Sequence, residues 1–186
     1  MNYRSVLWLM VAGFLLVEGC GKRHGNIPLS KESVDKVAGG IGWSFPSRWQ
    51  QHPPRPMRAA TYLIPHAAPD SIDGECAIFY FGKGQGGDVD LNIKRWGSQF
   101  EKVNAGEKHE ITISGVKVTR VELSGTYLAP SMMTGEPSGR LENYRLLGAI
   151  AEAPEGMVFF KLTGPAATVG AAVEEFDAML NSISKK

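Results

Sequence analysis

An apolar run, Cys76-Ala77-Ile78-Phe79-Tyr80-Phe81, leads without a break into the glycine loop Gly82-Lys83-Gly84-Gln85-Gly86-Gly87 and then into an amphipathic segment opened by Asp88. Alternate residues of a strand point to opposite faces, and here both sets are apolar. Such a strand has to be covered on both sides, which places it inside a sheet rather than at its edge. Downstream, Val89, Ile93, Trp96 and Phe100 recur at i, i+4, i+7 and i+11, one stripe of an α-helix running as far as Phe100. Asp88 suits the N-cap, and Asp90 suits the positive end of the helix dipole. Each fully buried large side chain stabilises by roughly 1.5 to 3 kcal/mol, so this strand, turn and helix form a core unit on which a domain can be assembled.

The loop also supports a sharper reading. Gly82, Gly84 and Gly87 satisfy G-x-G-x-x-G between a strand and a helix, the setting of a dinucleotide-binding turn. Against it, Asp88 and Asp90 put negative charge where a pyrophosphate would lie. The helix is followed by a polar-alternating hairpin, not by a buried parallel strand ending in an acid. A tight structural turn or a protein-recognition loop is the competing and favoured reading. The candidate binding residues are Gln85 in the loop with Asn92, Arg95 and Gln99, which at i, i+3 and i+7 share a helix face beside the apolar stripe. The alternative is that this face is merely solvated.

The chain begins with Arg4, a twelve-residue and mostly apolar run from Val6 to Val17, and Glu18-Gly19-Cys20. A helix needs about 20 apolar residues to cross a bilayer, so the run reads as an export signal rather than a span. Val17-Glu18-Gly19-Cys20 resembles a bacterial lipobox, with Cys20 as the lipid acceptor and new N-terminus. Glu18 departs from the small or apolar residue usual at that place. An ordinary cleaved signal with an incidental cysteine is the alternative. The resemblance implies a lipoprotein signal over residues 1–19 and a tether over 20–40. It implies a lipid-anchored domain on the cell membrane or outer membrane, lying in the periplasm or outside the cell. Gly21 rather than aspartate after the anchor suits outer-membrane sorting.

Twenty Lys and Arg against 19 Asp and Glu give a net charge of +1, too little basic excess to displace counterions from nucleic acid. With Cys20 acylated, Cys76 is left as a lone thiol, read as an inert core residue because no histidine has the spacing to activate it. The four histidines, His24, His52, His66 and His109, assemble no nucleophile, base and orienting acid, so no catalytic residues are assigned. His66, Asp70, Asp73 and Glu75 match no calcium or zinc spacing and read as a solvated acidic loop, with no metal or cofactor expected.

Residues 41–186 read as one globular domain. Trp43-Ser44-Phe45-Pro46 and Trp49 suggest a short edge strand ended by proline, then a proline-containing loop and a strand from Arg58 to Ile64. After the helix come a hairpin of Glu110–Ser114 and Val116–Tyr127 around Ser114-Gly115, and a loop from Leu128 to Arg140. A second hairpin, Tyr144–Glu152 with Met157–Thr163, turns at Pro154-Glu155-Gly156. In the loop, Met132 and Met133 are candidate contact residues if exposed, or else fold back on the sheet. Val169, Val173, Phe176, Leu180 and Ile183 give one closing helix that covers a sheet face.

This order is similar to that of the PsbP-like superfamily, through Trp43-Ser44-Phe45-Pro46 with Trp49, the strand-to-helix unit and the Phe176-Asp177-Ala178-Met179-Leu180 helix. The resemblance implies an α+β fold with an antiparallel sheet of about six to seven strands flanked by helices in an α/β/α sandwich. It also implies a domain that binds or helps assemble other proteins. Two functions stand side by side. One is a membrane-anchored, extracytoplasmic protein-binding or assembly factor. The other is an extracytoplasmic enzyme or small-ligand binder that uses loop 82–87.

Overall fold

A computed structural model describes residues 26–30, 37–130 and 137–186. In chain order the elements are β1 (Val37–Ala38), β2 (Ile41–Gly42), β3 (Gln50–Gln51), β4 (Ala60–Ile64), β5 (Gly74–Tyr80) and helix α1 (Val89–Gly97). Then come β6 (Phe100–Ala105), β7 (His109–Ile113), β8 (Val116–Pro130), β9 (Pro137–Ala153) and β10 (Gly156–Pro165). Helices α2 (Ala166–Ala171) and α3 (Val173–Asn181) and strand β11 (Ser184–Lys185) follow.

The main sheet has eight strands, all antiparallel, in the order β3-β4-β5-β10-β9-β8-β6. The long strand β8 carries β7 on its first half and β6 on its second. Strand β5 lies inside the sheet between β4 and β10, where its two apolar faces require it to be. A three-stranded sheet, β1-β2-β11, stands apart from it.

Neighbouring residues of each central strand serve two cores. Phe160 and Ala149 join Tyr62, Cys76, Ile78, Phe176, Met179 and Leu180 on the face covered by α2 and α3. Phe159 and Ile150 join Trp96, Phe100, Val121 and Leu146 on the face covered by α1. Helices on both faces of an antiparallel sheet make the α+β sandwich expected from the sequence. Burial raises the Cys76 thiol pKa well above its usual value, as a core thiol requires.

Several boundaries differ from those read in the sequence. Trp43, Phe45 and Trp49 are core anchors in irregular chain rather than strand residues, and the edge strand is β3. Pro46 lacks an N–H for a ladder, and its neighbourhood is held instead by Ser30 N donating to Phe45 O and Ser47 N donating to Pro28 O. The packed structure therefore begins before Ile41, and Ala38 is buried. Helix α1 ends at Gly97, so Phe100 reaches its core from strand β6, which the helical periodicity had absorbed. The loop expected from Leu128 to Arg140 is largely ladder: Leu128 pairs with Arg140 and Ala129 with Gly139. Met132 and Met133 lie outside the described residues, as does Cys20. The closing helix is broken at Ala172 into α2 and α3, and Ile183 lies beyond α3.

Candidate functional site

At the C-terminal end of β5, the chain turns through the glycine loop into α1. Gly86 has φ of +92°, and a Cβ there would fall 2.8 Å from the Phe159 ring, so both backbone and packing require glycine. A Cβ on Gly84, the middle glycine of the nucleotide pattern, would meet nothing within 4 Å. Its φ of +71° lies in the left-handed region, so the turn alone favours glycine there.

The loop is braced from below by Asn92, a buried residue of α1. Its Nδ2 donates to Gly86 O at 2.7 Å and to Asp88 O at 2.8 Å, and its Oδ1 accepts from Arg95. Asn92 was expected on an accessible helix face and instead holds the loop to the helix. The Asp88 carboxylate accepts from Leu91 N at 2.8 Å, occupying a donor that an anion at the helix start would need. Together with the antiparallel sheet, this removes the structural setting of a dinucleotide-binding turn. Asn92→Ala is expected to lower stability by about 1 to 2 kcal/mol, because the part-buried bonds from its Nδ2 to the Gly86 and Asp88 carbonyls are both lost. Urea unfolding checks this, and an unchanged midpoint would show that the loop stands without the brace.

Above this brace lies a cleft of about 590 Å³ lined by Phe81, Gln85, Leu91, Asn92 and Arg95 together with Gly86 and Gly87. Phe81 and Leu91 are exposed large apolar residues, at 37% and 61% accessibility. The structure thus brings Gln85, Asn92 and Arg95 to one cleft. Gln99 lies past the end of α1, in the turn to β6, and lines a second cavity.

That second cavity, about 230 Å³, shares Phe81 and Arg95 with the first. Its aromatic walls are Phe79, Phe81, Trp96 and Phe159, and Lys161 of β10 lies at its polar side beside Gln99. Lys161 Nζ donates to Gln99 Oε1 at 2.7 Å and to the Tyr127 hydroxyl at 3.3 Å, and lies 5.5 Å from the Tyr127 ring centroid. Burial, first, and the guanidinium groups of Arg58 and Arg95 push its pKa down to about 8, against the opposing pull of Glu75. The Glu75 carboxylate is itself taken by Arg58 at 2.8 Å and Arg55 at 3.1 Å. Sequence reasoning passed over Lys161, although a lone cation inside the apolar run Met157–Leu162 was a signal.

The other candidates are engaged elsewhere. Asp73 Oδ1 accepts from His66 Nδ1 and His66 N, which holds the Asp73 carboxyl below its usual range. Asp70 Oδ2 accepts from Thr168 N at 2.7 Å in the first turn of α2. A further cavity, about 850 Å³, lies between β7, α3 and residues 26–29, where Arg120 is paired with Asp177.

An antiparallel sheet sandwiched between a single helix and a closing helix pair is a fold shared with solved structures. Cyanobacterial PsbP (CyanoP) from Synechocystis sp. PCC 6803 superposes with a TM-score of 0.53 at 12% identity, over 91% of this chain and 99% of that one. A Pseudomonas aeruginosa protein of unknown function, described as a putative regulator, superposes at 0.50 and 12% identity over 87% of this chain and 99% of its own. The chain has the PsbP-like fold. No family model matches its sequence, and no curated protein is significantly similar to it.

Proposed function

We propose that this protein is a lipid-anchored, extracytoplasmic binding protein whose glycine loop and adjoining flank of α1 engage a protein partner at the membrane surface. The observation that carries the reading is the cleft itself. Exposed Phe81 and Leu91 flank Gln85 and Arg95, and Asn92 fixes the loop between them from beneath. Apolar side chains set among a few polar groups on a fixed frame suit protein recognition, where preorganisation lowers the cost of binding. Among the described residues no helix is long and apolar enough to cross a membrane. The anchor in this proposal is Cys20, supported by the lipobox resemblance.

Cross-linking from the native membrane tests both parts. Gln85→Trp is expected to reduce recovery of the cross-linked partner with no change in the unfolding midpoint, since Gln85 is exposed. Cys20→Ala is expected to abolish acyl labelling and release of the signal by the lipoprotein peptidase. Undiminished partner recovery with Gln85→Trp would overturn the recognition surface, and normal labelling of Cys20→Ala would overturn the anchor.

A further inference from the structure

The cavity beside Lys161 shares Phe81 and Arg95 with the protein-binding cleft and has a chemistry of its own. Its walls are aromatic: Phe81 lies 6.1 Å from Phe79 and 5.8 Å from Phe159, centroid to centroid. Its polar groups are cationic. Among the described residues neither Lys161 nor Arg95 forms an ion pair with a carboxylate, while Glu75, the nearby acid, is shared between Arg55 and Arg58. The acceptors of Lys161 among the described residues are the neutral Gln99 and Tyr127. An ammonium drawn into such surroundings is under-compensated, and an entering anion would make a charge-assisted hydrogen bond strengthened by the low local dielectric.

From this juxtaposition we infer that the cavity is a binding site for a small organic carboxylate with an aromatic or apolar body. The acid meets Lys161 and Arg95, and the body packs among Phe79, Phe81 and Phe159. At about 230 Å³ the space suits a ligand about the size of a single large side chain. The aromatic walls favour a carboxylate with an apolar body over inorganic phosphate, whose hydration they would strip without replacing.

The pH response has a definite sign. The groups around Lys161 are Arg58 before β4, Glu75 of β5, Arg95 of α1 and Tyr127 of β8, with Tyr144 of β9 stacked on Tyr127. Burial raises both tyrosines above their ordinary range, so they stay neutral near pH 8. Lys161 is charged below about pH 8 in the free protein and an anion raises its pKa. Affinity is therefore complete below that pH and falls as pH rises through it.

Calorimetry on the full chain with phenylacetate, its neutral amide and inorganic phosphate tests the assignment. Saturable binding of phenylacetate is expected, weaker by roughly tenfold or more for the amide and for Lys161→Met, as loss of a hydrogen bond to a charged group implies. The decline with pH should disappear in Lys161→Met. Arg95→Gln, at an exposed position, should weaken binding as well and serves if Lys161→Met does not fold. The assignment is overturned by absence of saturable carboxylate binding, by equal binding of acid and amide, or by tighter binding of phosphate. A partner protein that needs Lys161 while free acids do not bind overturns it too, in favour of an acidic side chain of that partner.

Discussion

Trp96→Ala is expected to cost about 3 to 5 kcal/mol, the range for emptying a large aromatic site in a core. Trp96 is 4% exposed and lies over Gly148 of β9, where an added Cβ would be 2.3 Å from its ring. The helix approaches the sheet this closely only because position 148 has no side chain. Truncation therefore leaves a void that neither the glycine nor the backbone can fill. Around it, Phe100, Val121, Leu146, Ile150 and Phe159 lose a shared contact. Urea unfolding with unchanged slope and a lowered midpoint is the expected reading. A midpoint equal to that of the wild type would show that α1 packs on the sheet by other residues.

Gly125→Val is expected to do damage of a different kind. Strand β6 shifts register against β8 between Phe100 and Val103, and the bulge drives the Lys102 carbonyl towards Gly125. An added Cβ would lie 1.9 Å from that oxygen, and the backbone at Gly125 has φ of +148°. No rotamer change relieves a contact with main chain. The pairing of β6 must open, so the cost should exceed the roughly 1 to 3 kcal/mol of ordinary overpacking. Amide exchange is expected to speed up over Phe100–Ala105 more than over β5 and β10. Wild-type protection there, with wild-type stability, would refute the close approach.

The sequence showed most clearly what periodicity can show. The doubly apolar run Cys76–Tyr80 implied a strand inside a sheet, and the turn chemistry of Ser114-Gly115 located the hairpin of β7 and β8 with Ile111 opposite Val118. Phe100 was legible as a core residue but not as a strand residue, because a spacing of four from Trp96 fits a helix equally well. The helix stops at Gly97, and Ser98 N closes it onto the Lys94 and Trp96 carbonyls. Asn92 and Lys161 show a further limit. Asn92 bonds carbonyls only six and four residues back, and what hid its role was the path of the loop, whereas the partners of Lys161, Gln99 and Tyr127, lie 62 and 34 positions away.

The small sheet β1-β2-β11 bears on how the molecule comes to exist in time. Ser184 pairs with Gly42 and Lys185 with Ile41, while Ser44 N donates to the Ser182 hydroxyl across a separation of 138 residues. Trp49 likewise donates to Glu175, 126 residues on. The aromatic opening of the domain thus has two sets of partners: a near one in Tyr62, which accepts from Trp43 Nε1 and stacks on Phe45, and a distant one after residue 174. During synthesis, hairpins such as β7-β8 and the contacts of Trp43 and Phe45 with Tyr62 can close early, whereas the pairing of β2 with β11 needs residues 184 and 185. Long closures of this kind slow folding far more than they weaken the folded state. The pairing of β11 with β2 is thus among the contacts most distant in sequence, and its loss would open the small sheet while leaving the hairpins of the large one paired.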